Sequence, residues 1–386
     1  MAKWAADMSR NERVLIVGGG IGGLCAAIGL ARAGIASDIV EIKPDWTVYG
    51  VGIIQPSNQL RALAELGLAD ACVERGAAFQ GWEFCDDAGH VHAQVPSPSV
   101  ASSKLPPVNG IPRPILHDIL TAEAKRLGVT VRLGLTVDDI DNAPTHVSVR
   151  FSDDTTGRYD VLIGADGTYS RMRGLVFPGG ATPVFNGLSV WRYNFARPPG
   201  MNWGSVHYGR CAKAGLVPMS PSLMYMFVVT AEPGNPKMPR DRMHDVLRAR
   251  LADFTGIIAE LRELIIDPAG VVYRPMEPLL LPTPWHRGRV LLIGDAVHAT
   301  TPQLAQGASI AIEDAVLLAQ LLPQDRPLEN IFDEFMRRRF ERCKFVVETS
   351  LQIGRWEVAA FEGRPDPTAD YAGLMAEAGR VLAEAY

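Results

Sequence analysis

Hydrophobic residues near the start of the chain are spaced as in a β-α-β unit. Residues 14–17 form a short apolar run that ends in glycines, which is typical of a buried parallel strand. An alanine- and leucine-rich stretch over residues 24–33 predicts a helix, which stops at Gly34. Residues 37–41 predict the next strand, so the unit occupies about 30 residues, the usual length of such a unit.

Further apolar runs continue this pattern later in the chain. We expect strands over residues 129–135, 147–151, 160–163 and 289–293, and helices over residues 115–127, 308–322 and most of 328–386. Residues 96–114 are rich in proline and serine and predict a loop. Strands that alternate with helices are typical of a parallel sheet covered by helices.

Between residues 188 and 230 the pattern changes to short aromatic-rich runs separated by glycine and proline, with no helix between them. Such runs predict an antiparallel sheet in a layer of its own. Helical spacing returns over residues 243–264. The fold class is therefore α/β, or α+β over the whole chain: a Rossmann-like domain with a parallel sheet, a second domain with an antiparallel sheet, and C-terminal helices.

Composition excludes several classes of protein. Of the 386 residues, 47% are hydrophobic and 21% are charged, which is enough apolar material for a core and excludes a mostly disordered chain. The net charge of -5 gives no electrostatic reason to bind nucleic acid. The five cysteines are scattered without a Cys-x-x-Cys pair, so we expect no metal site, no redox-active dithiol and a cytoplasmic protein.

One uncharged stretch, residues 14–31, has the length of a signal peptide or a short membrane span. Six glycines interrupt it in the middle rather than at its end. A helix across lipid gains nothing from these glycines, whereas a strand, a tight turn and a packed helix explain them. We therefore expect no membrane partner.

Gly18, Gly20 and Gly23 are spaced as Gly-x-Gly-x-x-Gly between the first predicted strand and helix. Glycine lets backbone N–H groups approach a pyrophosphate, which the helix N-terminus attracts. Glu41 ends the second strand, where a carboxylate can accept hydrogen bonds from the hydroxyls of an adenosine ribose. Because that acid disfavours a 2′-phosphate, the motif indicates FAD or NAD. The alternative is a glycine turn that serves packing alone.

Two later motifs favour FAD over NAD. One covers residues 160–173 and includes Asp166, and the other covers residues 289–315 and includes Asp295. Asp295 follows a predicted strand and can hold a ribityl hydroxyl. Residues 305–309 open a helix whose N–H groups can face an anionic flavin or a phosphate. A plain NAD dehydrogenase has no need of such a site far from its glycine loop.

In this order and spacing, the three motifs resemble those of the FAD-dependent aromatic hydroxylases, single-component flavoprotein monooxygenases related to p-hydroxybenzoate and salicylate hydroxylases. The resemblance runs from about residue 14 to 350 and takes in residues 50–67 and Arg113, which the family places on the ribityl–phosphate arm of the flavin. It implies that FAD is bound by Gly18, Gly20, Ile21, Gly23, Glu41, Ile42, Lys43, Gly52, Arg113, Val137, Asp166, Gly294, Asp295, Ala305, Gln306, Gly307 and Ala308.

Two positions depart from the family pattern. Ala305 stands where the family usually has the first glycine of Gly-Gln-Gly, so a methyl group is added where the backbone meets the cofactor. Lys43 stands where many relatives carry arginine after the ribose-binding acid. It keeps the positive charge without the bidentate fork.

The resemblance also implies a reaction and its partners. NAD(P)H would reduce FAD, O2 would add at flavin C4a, and the hydroperoxide would hydroxylate a small aromatic or N-heteroaromatic substrate. The chain has no second glycine-rich nucleotide motif, so we expect NAD(P)H to bind transiently. The protein is expected to be a monomer or a homodimer.

On the same resemblance we divide the chain into three parts. The FAD-binding domain is discontinuous and comprises residues 1–75, 100–178 and 280–325. The substrate-binding domain, with the antiparallel sheet, comprises residues 76–99 and 179–279. Residues 326–386 form a C-terminal helical segment.

Four residues are candidates for the substrate side, and each has a plainer interpretation. Tyr225 lies in a strand from which a family tyrosine faces the substrate, or it is a core tyrosine bonded to backbone. Lys213 supplies a cation for an anionic substrate, or is a solvated surface lysine. Pro302 and Gln303 approach the substrate from the flavin loop, or only shape that loop.

Other functions share the cofactor. Flavin-dependent halogenases usually carry a Trp-x-Trp motif, which this sequence lacks. An FAD-dependent reductase or dehydrogenase and a non-catalytic flavin-binding protein stay open as alternatives. We interpret His298 as structural and the basic cluster at residues 337–339, 342 and 344 as a solvated helix face.

Overall fold

The computed structural model describes residues 13–46, 51–99 and 104–386 and arranges them in two large and two small sheets with helices between and around them. Residues 1–12 and 100–103, predicted to belong to the FAD-binding domain, and Gly50 of the family motif lie outside the described residues. Among the residues described, no helix is both long enough and apolar enough to cross a membrane. The division into domains stays a prediction.

In chain order, the strands of the described residues are β1 (Arg13–Val17), β2 (Ala36–Glu41), β3 (Gly52–Pro56), β4 (Ala77–Phe79), β5 (Gly81–Cys85), β6 (Val91–Pro96), β7 (Val108–Pro112), β8 (Thr130–Leu133), β9 (Val137–Asn142), β10 (Val147–Phe151), β11 (Thr156–Tyr159), β12 (Val161–Gly164), β13 (Leu188–Ala196), β14 (Gly204–Tyr208), β15 (Ala212–Pro218), β16 (Leu223–Ala231), β17 (Val272–Pro275), β18 (His286–Arg287) and β19 (Val290–Leu292). The α-helices are α1 (Ile21–Arg32), α2 (Ser57–Glu65), α3 (Ala69–Arg75), α4 (Arg113–Arg126), α5 (Arg171–Val176), α6 (Met243–Arg250), α7 (Gly256–Glu263), α8 (Asp295–His298), α9 (Gly307–Leu321), α10 (Leu328–Phe361) and α11 (Tyr371–Ala383). Short 3-10 turns cover Arg240–Arg242, Pro268–Gly270 and Pro302–Leu304.

A six-stranded sheet in the order β18-β19-β12-β1-β2-β8 lies in the predicted FAD-binding domain, which we call the first domain. Its strands pair in parallel except for the edge strand β18. The predicted β-α-β unit is confirmed as β1, α1 and β2. Residues 14–17 are at most 2% exposed, which explains their uninterrupted apolar run. Because β1, β2, β12 and β19 are parallel, they end at one common edge.

Helix α9 packs closely against α1 beside that edge. A Cβ atom at Gly29 would lie 2.7 Å from the Cβ of Ala319, and one at Gly22 would lie 3.6 Å from the Cβ of Ala311. Small residues on both helices therefore let them approach closely. The contact brings the first turns of α9 next to the glycine loop between β1 and α1.

The predicted antiparallel sheet is confirmed as a separate layer. It has seven strands in the order β17-β13-β16-β15-β14-β5-β6, and only β14 and β5 pair in parallel. One face is apolar: Trp191, Leu216 and Met226 pack with Leu247 of α6 and Ile258 of α7. These helices give that face its own hydrophobic core.

The opposite face of this sheet is turned toward β3 in the first domain. Tyr225 and Arg192 lie on it, because residues paired directly across strands point to the same side and Arg192 pairs with Phe227. A Cβ atom at Gly52 would lie 2.2 Å from Met219 Sδ and 2.5 Å from the Tyr225 ring. Tyr225 therefore packs against the β3 backbone. We call the region between this face of the seven-stranded sheet and the edge where the parallel strands end the cleft.

Several strands lie where the sequence analysis predicts none, and β7 and β9 illustrate why. The predicted loop at residues 96–114 contains β7, which is the central strand of the small sheet β3-β7-β4. Its sequence, VNGIP, has too few apolar residues to show a period of two. Strand β9, VDDIDN, is too polar for its sequence to predict a strand. It pairs with β10 in a small antiparallel sheet.

Helix α10 corrects the interpretation of the basic cluster. A solvated face is wrong for Arg339 and Arg342, which are 0% and 8% exposed. Both guanidinium groups face Glu313 of α9. Arg337, by contrast, is exposed and pairs with Glu334 on its own helix.

Candidate active site

In the glycine loop, Gly18 and Gly23 have no room for a side chain, whereas Gly20 faces open space. Gly18 has a φ of 111°, and a Cβ atom there would lie 2.4 Å from the carbonyl oxygen of Ala165. A Cβ atom at Gly23 would lie 2.0 Å from the carbonyl oxygen of Gly18. Nothing lies within 4 Å of a Cβ atom at Gly20, just before α1 begins at Ile21. The loop therefore leaves room for a ligand only beside Gly20.

Glu41 lies at the end of β2, next to the glycine loop. Its carboxylate accepts hydrogen bonds from the backbone N–H groups of Gly19, at 2.8 Å, and Lys43, at 3.0 Å. A carboxylate has about four lone-pair sites, so two stay available for ribose hydroxyls. Ile42, the next residue, is 66% exposed, an apolar surface that an adenine ring could cover.

Asp166 follows β12 at the same edge, but its carboxylate is already engaged. It accepts hydrogen bonds from Ser170 Oγ at 2.5 Å and from the Met172 backbone at 2.9 Å, and so holds the start of α5. Burial raises the pKa of the Asp166 carboxyl against the effect of these hydrogen bonds. The side chain thus shapes the cleft wall, and a contact of Asp166 with FAD stays a prediction.

Asp295 follows β19 and Gly294 at the same edge and is exposed. Desolvation raises the pKa of its carboxyl, although His298 and Arg113 act in the opposite direction. Its described hydrogen-bond partner is Thr168, at a long 3.5 Å. An acceptor with so few partners is suited to a ribityl hydroxyl.

The flavin loop lies between the 3-10 turn at Pro302–Leu304 and α9. Ala305 has a φ of 55°, the left-handed conformation that favours glycine. Gln306 exchanges two hydrogen bonds with Asn58, at 2.9 and 3.2 Å. Its amide is thereby committed to the protein, so Gln306 can meet a flavin only through its backbone. Gly307 and Ala308 begin α9 and leave N–H groups free at the helix start.

Replacing Ala305 with glycine should stabilise the protein. Because the left-handed conformation strains any residue with a Cβ atom, we expect A305G to raise the unfolding free energy by about 1 kcal/mol and the melting midpoint by about 1–2 °C. Thermal unfolding measured by circular dichroism checks this. Unchanged or lower stability would show that the alanine side chain contributes packing that outweighs the backbone strain.

A buried ion network supports the flavin loop from behind. Arg342 binds Glu313 with two hydrogen bonds of 2.8 Å, and Arg339 bridges Glu313, at 2.8 Å, and Asp314, at 2.7 Å. Glu313 in turn accepts a hydrogen bond of 3.1 Å from Asn58, the partner of Gln306. The carboxylates therefore connect α10 to the loop that meets the cofactor.

Asp314 also fixes the backbone next to Asp295. It accepts a hydrogen bond of 2.9 Å from the Gly294 N–H and lies 2.6 Å from His298 Nε2. Burial opposes charge on His298, but Cys343 and Asp314 raise the pKa of its imidazole well above the ordinary value. His298 is therefore buried and held by Asp314, as its interpretation as a structural residue predicts.

Three polar groups in the cleft have no hydrogen-bond partner among the described residues for their side chains: Arg113, Arg192 and Tyr225. Burial lowers the pKa of Arg113, and it lowers the pKa of Arg192 to about 10 with a further contribution from Arg113. Burial raises the pKa of the Tyr225 phenol although both arginines oppose it. Groups that shift one another's pKa in this way lie close together.

Lys213 and Gln303 meet at Glu357 of α10, which is 4% exposed. Lys213 Nζ donates to one carboxylate oxygen of Glu357, and Gln303 Nε2 donates to the other at 3.1 Å. Lys213 is thus neither a solvated surface residue nor a free cation. Gln303 Oε1 is buried without a partner among the described residues, so it is an available acceptor. Pro302 begins the turn that places Gln303.

Val137 is a predicted cofactor residue two positions after Leu135, whose backbone N–H donates to the Glu41 carbonyl oxygen at 2.9 Å. Its side chain is 0% exposed in the core of the first domain. Only its backbone could meet a ligand. Asn58 and Glu357, which hold the flavin loop, were not singled out from the sequence, because each works through a residue more than 50 positions away.

The cleft fits FAD on its own chemistry. An exposed apolar surface at Ile42, open space at Gly20 and a weakly bonded carboxylate at Asp295 follow one another along the sheet edge. These match an adenine, a diphosphate and a ribityl chain in turn.

Comparison with known proteins agrees with this assignment. Residues 11–326 match the family model described as FAD binding domain. The chain is 33% identical over 362 residues to the 2-heptyl-3-hydroxy-4(1H)-quinolone synthase of Pseudomonas aeruginosa, covering 89% of this chain and 90% of that protein. It is 32% identical over 360 residues to the aurachin C monooxygenase/isomerase of Stigmatella aurantiaca, covering 91% and 92%.

Its fold is similar to that of HpxO from Klebsiella pneumoniae, crystallised with FAD and uric acid. The TM-score is 0.81 at 23% identity, with 96% of each chain covered. The family match spans most of the chain, and the relatives align over nearly their whole length. The chain therefore belongs to the FAD-dependent aromatic hydroxylases and is an FAD-dependent monooxygenase.

Proposed function

We propose that this monooxygenase uses NAD(P)H and O2 to hydroxylate a small aromatic or N-heteroaromatic compound. One observation carries the proposal: Arg192, Tyr225 and Arg113 lie close to one another without hydrogen-bond partners among the described residues. Polar side chains that the protein leaves unpaired can donate hydrogen bonds to a polar ligand. The names of relatives agree, since they mention a quinolone and, in the solved structure, uric acid.

The residues that would hold FAD lie along the edge of the parallel sheet. The backbone at Gly20 would bind the diphosphate, Glu41 the adenosine ribose and Asp295 the ribityl chain. The start of α9 at Gly307 would direct N–H groups at the flavin ring. FAD would supply the electron transfer and the activation of O2. The protein would orient the reactants, exclude water and provide charged groups.

The substrate would lie between the flavin loop and the open face of the seven-stranded sheet. Tyr225 is 4% exposed and, because burial raises the pKa of its phenol, stays protonated near neutral pH and can donate a hydrogen bond. Gln303 Oε1 can accept one from a substrate hydroxyl or ring N–H. The Glu357 contact fixes both Gln303 and Lys213. We assign Lys213 to positioning rather than to direct contact with a charged substrate.

The proposal is tested with the purified protein. We expect a yellow protein that oxidises NADH or NADPH slowly alone and faster with a phenol, a hydroxybenzoate or a hydroxylated N-heterocycle. Mass spectrometry of the product should then show one added oxygen atom. The Y225F variant should retain FAD but lose much of the stimulation by substrate, since it removes one donor to the ring substituents.

Faster NAD(P)H oxidation without added oxygen in the product would contradict hydroxylation and favour a reductase. Oxidation that no aromatic compound accelerates would favour a flavin-binding protein without this activity. The matched control is Y193F. Tyr193 lies on β13, which pairs with the strand of Tyr225, but on the opposite face, which packs against the core with α6 and α7. It should leave stimulation by substrate unchanged.

A further inference from the structure

We propose that Arg192 and Arg274 form a recognition site for an anionic oxygen group on the open face of the seven-stranded sheet. The ligand would be a carboxylate or a similar oxyanion of the aromatic substrate, or the diphosphate of the nicotinamide dinucleotide. This inference deepens the proposed function and rests on it for the identity of the ligand. The shared chemistry is a planar or tetrahedral oxyanion that guanidinium groups bind.

Strand register places the two arginines on one face. Arg192 pairs with Val272 and Val190 pairs with Arg274 across the antiparallel strands β13 and β17. The two arginines are therefore diagonal neighbours, whose Cβ atoms lie roughly 7–8 Å apart in such a pair. Long guanidinium side chains from such positions can reach the same anion.

Neither arginine has a carboxylate partner among the described residues, where no side chain or carbonyl accepts a hydrogen bond from Arg192 or Arg274. The positive charge of Arg274 lowers the pKa of both Arg113 and Arg192. Other cations of the same sheet are neutralised: Lys213 pairs with Glu357. Arg192 stays charged at neutral pH, since its pKa, lowered by burial and by Arg113, is about 10.

The described cations that act on Arg192 are the guanidinium groups of Arg113 and Arg274. Tyr225 adds a phenol that burial keeps protonated, and the Asp295 carboxylate acts on Arg113. Like charges held together in a partly buried cleft repel one another unless an anion is bound. The site therefore favours a negatively charged ligand over a neutral one of the same shape.

The test measures binding by calorimetry, with 2-hydroxybenzoate, its neutral amide 2-hydroxybenzamide, and NADH as probes. In R192Q we expect the dissociation constant of an anionic probe to rise about 10- to 100-fold, the effect of removing a charge-assisted hydrogen-bonding partner. The dissociation constant of the neutral amide should change less than about two-fold, because a neutral ligand loses little when the arginine charge is removed. R274Q should show a smaller loss, since Arg274 is exposed.

The two sources of the anion give different results. A loss confined to 2-hydroxybenzoate assigns the site to the substrate, and a loss confined to NADH assigns it to the dinucleotide. R192K, which keeps the charge without the fork, should bind the same anion with intermediate affinity and also answers the question if R192Q fails to fold. R210Q removes an exposed arginine paired with Asp253 and is the charge-matched control.

Three results would overturn the proposal: no binding of either anion to the unaltered protein, unchanged affinity in R192Q, or an equal loss in R210Q. Because calorimetry needs no turnover, a protein that binds the anion at Arg192 but hydroxylates no ring would contradict only the proposed function.

Discussion

Replacing Arg339 with methionine is expected to lower the unfolding free energy by about 3–5 kcal/mol, the usual effect of removing one partner from a buried ion pair. Methionine fills a similar volume but leaves Glu313 and Asp314, both 0% exposed, with fewer compensating donors. Urea unfolding followed by circular dichroism measures the change. R339K, which keeps the charge without the fork, should lose less.

The same variant should weaken FAD binding. Arg339 holds Glu313 and Asp314, and these carboxylates hold Asn58 and the Gly294 backbone on the two sides of the cofactor site. We therefore expect any folded fraction of R339M to retain less flavin after gel filtration. R337M is the matched control, because Arg337 is exposed on the same helix and pairs only with Glu334. An equal loss in both variants would contradict a specific role for the buried network.

The pH dependence of the unfolding free energy is a second test of the buried ion network. Burial opposes ionisation of Glu313 and Asp314, but Arg339 and its cationic neighbours outweigh it and hold the pKa of each carboxyl below the ordinary values of 4.5 and 3.8. A carboxyl group whose pKa is lower in the folded protein than in the unfolded chain stabilises the fold fully above its unfolded pKa. This stabilisation is lost as the pH falls through the pKa of the folded state. The difference between R339M and the unaltered protein should therefore shrink below about pH 4.

Much of the fold could be predicted because local signals agree with the tertiary structure. The apolar run at residues 14–17, the glycines after it and Glu41 occur where a parallel strand, a turn and the next strand end require them. The aromatic-rich runs from 188 to 230 likewise alternate between an apolar core and a polar cleft. In both regions the pattern reports directly which face is buried.

The parts that could not be predicted depend on partners far apart in sequence. Lys213 was interpreted as a substrate cation or a solvated lysine, and its partner Glu357 lies 144 residues away. The basic cluster of α10 is different, because the sequence did contain a signal. Glu313 and Asp314 are adjacent acids within α9, a helix without any other charged residue, so their burial requires cations from elsewhere.

The strongest test of the glycine loop compares three substitutions by alanine. Gly18→Ala places a Cβ atom 2.4 Å from a backbone carbonyl at a φ of 111°, and Gly23→Ala places one 2.0 Å from another. Neither carbonyl can move without disturbing β1 or β12. We expect each variant to lose about 2–6 kcal/mol of unfolding free energy and to be purified without FAD.

Gly20→Ala should behave differently, because no atom lies within 4 Å of the added methyl group and its φ of -77° suits any residue. The variant should fold as well as the unaltered protein, since only the space for the ligand changes. Its dissociation constant for FAD, measured by fluorescence titration, should rise about 10-fold or more, because the methyl group holds the diphosphate away from the loop N–H groups. Gly174→Ala, in equally open space on α5, is the control for an added methyl group. If Gly20→Ala binds FAD as tightly as Gly174→Ala does, the cofactor does not cross this loop.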